Sequence, residues 1–288
     1  MSASGVRRRE FEVGRIGIAL RGDEQGEGET VLLCHGLSAT RDLVIHNSRA
    51  IPRAGRRLVL WDARGHGTSD PAPAGEGYGY ERQVEDLEAI VEGVTDGDQQ
   101  VIIGGHSMGC HTAAAWALAN PARVSGLILI GPVFTGAELD PAGDRWDARA
   151  EALAEGGPEA FAEVAAEEFT GSEEVRTLVQ RLALDRTRRH LHPEAVADAL
   201  REVPRSVPFA GLSSLSALHA PALVVGSRDD LDPGHPLEIA EAWAETIPGA
   251  RLVVEEPGES PLAWQGGRLS RVINEFLDGR DPQDGGRG

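Results

Sequence analysis

The chain has 288 residues, of which 41% are hydrophobic and 26% are charged, as is usual for a globular protein with a large core. Its net charge of −18 argues against nucleic acid and anionic membranes as partners, because phosphate binding needs a positive field. All 28 basic side chains are arginine, and without a lysine the protein excludes Schiff-base and pyridoxal chemistry.

Targeting and metal signals are missing from the sequence. No apolar run approaches the roughly 20 residues that span a bilayer, and Met1–Glu10 lacks the apolar stretch of a secretory signal. Cys34 and Cys110 do not make a disulfide or metal framework. We therefore expect a cytoplasmic protein, a monomer or homodimer, that acts on a small-molecule substrate without a metal or a cofactor.

Apolar runs bounded by turn residues alternate with segments of helical periodicity, which predicts a mostly parallel sheet covered by helices. The predicted strands are a hairpin at 11–13 and 15–20, followed after a Gly/Glu-rich loop at 22–29 by 31–34, 57–61, 101–104, 124–130, 222–226 and 251–255. The predicted helices of this layer are 80–94, 108–120, 237–246 and 267–277.

The character of the chain changes after the strand at 124–130. From about Asp140 to Arg205 it is rich in Ala, Glu and Arg, has helical periodicity and shows no strand pattern. We interpret this segment as a helical insertion in an α/β domain. The predicted limits are 1–134 and 212–280 for the α/β core, 135–211 for a helical cap and 281–288 for a disordered tail.

The strongest chemical signal is Gly105-His106-Ser107-Met108-Gly109, a G-x-S-x-G nucleophile elbow. Alone this pentapeptide is common, but here a buried strand precedes it and a helix follows it, as the motif requires. The turn would put Ser107 at a helix N-terminus, where backbone N–H groups stabilise a developing oxyanion. We expect His106 and His111 to point away from this serine.

Three further motifs make the chain similar to the α/β-hydrolase superfamily, in its serine-nucleophile branch with a helical cap. His35-Gly36-Leu37 resembles the family's H-G-x motif, 61–70 resembles its D-x-R-G-x-G-x-S loop, and 226–233 resembles its G-x-x-D-x-x-x-P pattern. The resemblance implies an eight-stranded, mostly parallel sheet flanked by helices. It also implies oxyanion-hole amides at Leu37 and Met108, a triad acid at Asp229 and a structural role for the loop that holds His66.

The triad base departs from the family pattern. The slot that resembles the family's Gly-His, about 18 residues before Phe276-Leu277, holds Gly258-Glu259, and no histidine follows His235. Glu259 would be the base if Asp229 raised its pKa. His235 or His35 is an alternative base, although we favour a structural role for His35 and a surface-loop or helix-start position for His235.

The sequence thus predicts a hydrolase of the carboxylic-ester type, acting on an ester, lactone or thioester of a small, largely apolar substrate with an atypical base. The cap aromatics Trp146, Phe161, Phe169 and Phe209 would pack or line its pocket. The alternative hypothesis is a non-hydrolytic protein of the same fold, either a lyase-type catalyst or a small-molecule-binding protein.

Overall fold

The computed structural model describes residues 7–138, 144–169, 172–228 and 234–280. The predicted acid Asp229 and the predicted tail 281–288 lie outside these ranges.

A single sheet of eight strands runs through the described part of the chain. Its spatial order is β1-β2-β4-β3-β5-β6-β7-β8, in which β2 pairs antiparallel with β1 and β4 and the other neighbouring pairs are parallel. The strands are β1 (Arg8–Arg15), β2 (Ile18–Gln25), β3 (Thr30–Cys34), β4 (Arg57–Trp61), β5 (Val101–His106), β6 (Val124–Ile130), β7 (Ala222–Val225) and β8 (Arg251–Val253).

Helices cover both faces of this sheet. They are α1 (Ala50–Arg53), α2 (Tyr80–Val94), α3 (Met108–Ala119), α4 (Asp144–Glu167), α5 (Glu173–Thr187), α6 (Pro193–Glu202), α7 (Leu237–Thr246) and α8 (Gly266–Asp278). Among the described residues, none of these helices combines the length and apolar character needed to cross a membrane.

Alternation along the parallel strands divides the core into two layers. Leu32, Ile103 and Leu129 point to the face covered by α2, α3 and α7. Their neighbours Leu33 and Ile102 point to the opposite face, which α1 and α8 cover. Successive side chains of a strand point to opposite faces, so a strand buried on both sides is a continuous apolar run. This is why the short central strands are predicted correctly from sequence.

The predicted loop at 22–29 is shorter than expected because β2 continues to Gln25. Residues 22–25 pair with β4 in register 61–58, although two of them are acidic. Arginine side chains neutralise both carboxylates. Arg57 Nε donates to Glu24 at 2.7 Å, and Arg41 Nε donates to the buried Asp23 at 3.0 Å. Ion pairing between distant residues therefore lets a polar segment form a strand.

In the described residues between β6 and β7 lie three helical segments, α4 to α6, and we refer to them as the helical insertion. The first of them, α4, is interrupted at Gly157, where φ is +72°. The three segments enclose a small apolar cluster of their own that includes Leu153, Phe161 and Leu200. Leu37 from the loop after β3 packs against this cluster, as does Trp146 of α4. The insertion is thus in contact with the loop predicted to lie beside Ser107. The domain limits at 134/135 and 211/212 stay predictions.

Candidate active site

Ser107 lies in a strained turn between β5 and α3. Its backbone has φ +53° and ψ −117°, a left-handed conformation that costs a non-glycine residue about 1–3 kcal/mol. The Ser107 N–H donates to the Ile130 carbonyl at 2.9 Å, and the Ser107 carbonyl accepts the His111 N–H at 3.1 Å. The end of β6 and the first turn of α3 therefore hold the turn in place.

Two glycines make this turn possible. A Cβ on Gly105 would lie 2.4 Å from the Cys34 carbonyl oxygen, and one on Gly109 would lie 2.3 Å from the same atom. Backbone atoms cannot move away from such contacts cheaply. The G-x-S-x-G pattern is thus a steric requirement of packing α3 against the end of β3.

Ser107 faces a cavity of about 410 Å³, part of which is open solvent. Most of its wall is apolar and comes from the core, the helical insertion and the segment after α6: Leu37, Met108, Val133, Phe134, Trp146, Val203 and Pro204. Three polar side chains besides Ser107 complete the described wall, namely Tyr80, His111 and Ser206. A mostly apolar cavity with a few converging polar groups is the usual form of a small-molecule site.

The two predicted oxyanion donors lie in this cavity wall. A Cβ on Gly36 would lie 3.4 Å from Ser107 Cβ, so the start of the loop that carries Leu37 adjoins the serine. Met108 follows Ser107 as the first residue of α3. Within the described ranges, neither the Leu37 nor the Met108 backbone N–H donates a hydrogen bond. Both donors are therefore available to a ligand.

Glu259 does not line this cavity. Its carboxylate pairs with the Arg268 guanidinium, accepts the Glu256 N–H at 3.1 Å and is 42% exposed. The hydrogen bond from Arg268 lowers the pKa of Glu259. A general base that works near neutral pH needs the opposite shift. The expected rise in the pKa of Glu259 is therefore wrong, because the Arg268 guanidinium lowers this pKa instead.

His35 is also not placed to act on Ser107, so the suggestion that it serves as the base is corrected. It is buried, and both ring nitrogens are occupied: Nδ1 donates to the Gly36 carbonyl at 2.8 Å and Nε2 accepts the Ala63 N–H at 2.9 Å. Burial lowers its pKa to about 3, and the neighbouring His66 acts in the same direction. The favoured interpretation, a structural role in the turn, agrees with these contacts.

His235 lies two residues before α7, at a helix start as expected, but its ring is half-buried rather than on the surface. The ring centroids of His235 and His106 are 4.8 Å apart. A Cβ on Gly131, one residue beyond the end of β6, would lie 3.2 Å from His235 Cδ2 and 3.4 Å from His106 Nε2. Both imidazoles therefore border the carboxyl end of β6, where Ile130 holds Ser107.

The expectation that His111 points away from Ser107 is wrong, since both residues line the same cavity. His111 contacts Tyr80 of α2, a tyrosine that belongs to none of the sequence motifs. The motifs also omit Glu255, a buried carboxylate just after β8 that accepts hydrogen bonds from Ser227 Oγ at 2.9 Å and the Arg228 N–H at 2.7 Å. An acidic residue at the end of the apolar strand predicted at 251–255 is the sequence signal that would have indicated it.

The D-x-R-G-x-G loop has the structural role implied by the family resemblance. Asp62 accepts the backbone N–H groups of Arg41 at 2.9 Å and Thr68 at 3.0 Å. Arg64 is buried and makes a two-pronged ion pair with Asp86 of α2, at 2.6 and 2.7 Å. His66 is fully buried in the same loop, away from solvent.

Comparisons with known proteins agree with this architecture. A sequence model of the alpha/beta hydrolase fold matches residues 29–266. Over 96% of this chain and 97% of the relative, the sequence is 31% identical to 2-hydroxy-6-oxononadienedioate/2-hydroxy-6-oxononatrienedioate hydrolase 2 of Pseudomonas putida.

Two solved structures extend the comparison. A thermophilic esterase from Thermogutta terrifontis, solved with malate bound, is 27% identical with a TM-score of 0.73, over 94% of this chain and 98% of that one. The enol-lactonase from Burkholderia xenovorans LB400 shares the fold, with 21% identity and a TM-score of 0.71 over 93% of this chain and 100% of that one. The mostly parallel sheet, the serine turn and the sequence matches over nearly the whole length agree. The chain belongs to the α/β-hydrolase fold family.

Proposed function

We propose that the protein is a serine hydrolase that cleaves a carboxylic ester or a related acyl bond, such as a lactone or thioester, in a small, largely apolar substrate. The observation that carries this proposal is the strained Ser107, which faces an apolar cavity beside the unused N–H groups of Leu37 and Met108. Strain of this kind persists where surrounding structure enforces it, and it is concentrated at functional sites.

The proposed reaction has two stages. Ser107 Oγ attacks the substrate carbonyl carbon while a base takes the hydroxyl proton, and the negative charge moves to the carbonyl oxygen beside the two N–H donors. The bond to the leaving group then breaks, and the base returns the proton to that group. Water attacks the acyl-serine ester in the same way, which releases the acid and restores Ser107.

His235 is the base that we favour over Glu259. The exposed Glu259 is held in an ion pair with Arg268 that lowers its pKa. His235 is half-buried against His106, next to the turn that holds Ser107. Imidazole is also the group most often used to accept a serine proton. Asp229, the acid implied by the family resemblance, stays a prediction.

The charge of the cavity favours a neutral substrate. The Pseudomonas relative is named for a dienedioate, which carries two carboxylates. The described wall of this cavity contains no arginine, the chain contains no lysine, and burial lowers the pKa of His111 to about 3, so this imidazole is neutral. Burying an unpaired carboxylate is costly. These observations support an uncharged ester or lactone over a dicarboxylate.

A fluorophosphonate probe tests the proposal directly, because it reacts with activated serines. We expect labelling of one site, mapped by mass spectrometry to the peptide that contains Ser107, and no labelling of Ser107→Ala. The wild-type protein should hydrolyse 4-nitrophenyl butanoate, and Ser107→Ala should lose about 10³-fold or more in kcat/KM. An unlabelled, inactive but folded wild-type protein would favour the alternative hypothesis, a small-molecule-binding protein or lyase-type catalyst.

A further inference from the structure

One wall of the Ser107 cavity carries a buried tyrosine–histidine pair that the proposed reaction does not use. Tyr80 is the first residue of α2, and His111 lies in the first turn of α3. Tyr80 Oη and His111 Nδ1 are 2.8 Å apart, and the two side chains are 6% and 2% exposed. Both residues line the cavity with Ser107.

The backbone after β6 fixes the tautomer of His111. Its Nε2 accepts the N–H of Val133 at 2.9 Å and is 3.3 Å from the N–H of Phe134. A backbone N–H can only donate, so Nε2 carries no proton. Burial lowers the pKa of His111 to about 3, and the ring is therefore neutral with its one proton on Nδ1. Nδ1 must then donate to Tyr80 Oη.

The Tyr80 hydroxyl is consequently an acceptor toward His111 and keeps its own proton for another partner. Burial raises the pKa of Tyr80, so the hydroxyl is not ionised. No residue in the described ranges accepts this proton. Ser206, by comparison, already donates from Oγ to the Val203 carbonyl at 2.9 Å. The cavity is thus the place where solvent or a ligand can accept the Tyr80 proton.

We propose that Tyr80, oriented by His111, donates a hydrogen bond to an uncharged oxygen of the substrate, distinct from the reacting carbonyl. This inference rests on the proposed function, in which the Leu37 and Met108 N–H groups receive the reacting carbonyl oxygen. The remaining wall is mostly apolar, so one donor selects substrates with a keto or ether oxygen in an otherwise hydrocarbon chain. Tyr80 is a positioning and specificity-determining residue, with His111 acting through it.

Pairs of esters that differ only at this oxygen provide the test. In Ser107→Ala, which cannot form an acyl-enzyme, we would measure the Kd of three oxygen-bearing 4-nitrophenyl esters and of their hydrocarbon counterparts. The pairs are methoxyacetate with butanoate, 3-methoxypropanoate with pentanoate, and 4-oxopentanoate with 4-methylpentanoate. Adding Tyr80→Phe should weaken binding of at least one oxygen-bearing ester about five- to tenfold relative to its counterpart.

Tyr78→Phe is the matched control. Tyr78 is also buried, but its hydroxyl accepts the Ala72 N–H at 3.1 Å and does not line the cavity. This variant should leave all three ratios of Kd within twofold of their starting values. If Tyr80→Phe also leaves all three within twofold, the inference is wrong.

A second measurement does not depend on the folding of Tyr80→Phe. The chain contains two tyrosines, so 3-fluorotyrosine incorporated in Ser107→Ala/Tyr78→Phe labels Tyr80 alone. The ¹⁹F resonance should shift further with the 4-oxopentanoate ester than with the 4-methylpentanoate ester, and equal shifts would contradict the inference. Both measurements report binding, so they remain decisive if the wild-type protein hydrolyses none of these esters and the proposed function fails.

Discussion

The imidazole ring centroids of His106 and His235 lie 4.8 Å apart. Since His106 is the last residue of β5, the end of this strand contacts the segment that leads into α7. A histidine from the chain between β7 and β8 therefore borders the serine turn. The residue after β8 that stands in the family's histidine slot, Glu259, instead pairs with Arg268. We therefore expect His235, and not Glu259, to act as the base in the proposed reaction.

We expect His235→Gln to lower kcat/KM for 4-nitrophenyl butanoate by at least 10³-fold, because loss of the base from a serine triad is among the largest single effects on turnover. Glu259→Gln is the comparison variant and should change kcat/KM less than twofold. The two variants and the wild type would be assayed from pH 5 to 9, with circular dichroism to show that each is folded. A large loss in Glu259→Gln with an active His235→Gln would reverse the assignment.

Strain at Ser107 gives a prediction about stability. Glycine adopts φ +53° without a Cβ clash, whereas alanine keeps the strain of the native serine. We expect Ser107→Gly to be about 1 kcal/mol more stable than Ser107→Ala in urea unfolding at neutral pH. Ser270, in the interior of α8, supplies the control, since glycine there should be about 1 kcal/mol less stable than alanine. Equal stability of the two Ser107 variants would show that the turn stores no strain.

The serine turn could be predicted from sequence because its constraints are local. Gly105 and Gly109 are required by contacts with the Cys34 carbonyl, and the order strand, serine, helix follows from periodicity over adjacent residues. The short buried strands are predictable for the same reason, since an apolar run of four to seven residues between turns usually forms a buried strand in an α/β protein.

The surroundings of Ser107 could not be predicted in the same way. The Tyr80–His111 contact joins two helices across 31 residues, and the tautomer of His111 depends on backbone groups 22 residues further along. Arg268 lowers the pKa of Glu259, and Arg268 belongs to none of the motifs that resemble the family's. Such contacts arise when distant elements pack together, and no local pattern of residue types encodes them.

The buried ion pair between Arg64 and Asp86 should stabilise the loop that follows β4. Asp86 is fully buried and also accepts from Arg15 Nη1 at 3.1 Å. Asp86→Asn removes the buried counter-charge of Arg64, which then keeps only Glu76 at 3.6 Å, while Arg15 keeps its ion pair with Glu85. We expect a loss of about 3–5 kcal/mol in the free energy of unfolding. Asp198→Asn, which removes an exposed pair with Arg201 at 3.0 Å, should cost less than about 0.5 kcal/mol. Similar losses in both variants would contradict a special role for the buried pair.

Acid should destabilise the protein through three buried histidines that meet between the core and the helical insertion. The rings of His35 and His66 are 5.1 Å apart, and those of His66 and His190 are 5.5 Å apart. His190, which lies between α5 and α6, accepts the Gly67 N–H at Nδ1 (2.8 Å) and donates from Nε2 to the Ser38 carbonyl (3.0 Å). It can do both only as a neutral ring.

Burial lowers the pKa of His190 to about 3 from an ordinary value of 6.5, with a further contribution from His66. As the pH falls below 6.5, the unfolded chain binds a proton that the folded protein does not, until the pH reaches about 3. The stabilisation is thus complete above pH 6.5 and is lost at about 1.4 kcal/mol per pH unit for this residue.

His190→Gln keeps a donor and an acceptor but cannot titrate. Its free energy of unfolding, measured in urea from pH 6.5 to 4.5, should therefore fall less steeply than that of the wild type by about this amount. The exposed His219 provides the control, because His219→Gln should keep the wild-type slope. Parallel curves for His190→Gln and the wild type would mean that this ring accepts its proton while folded.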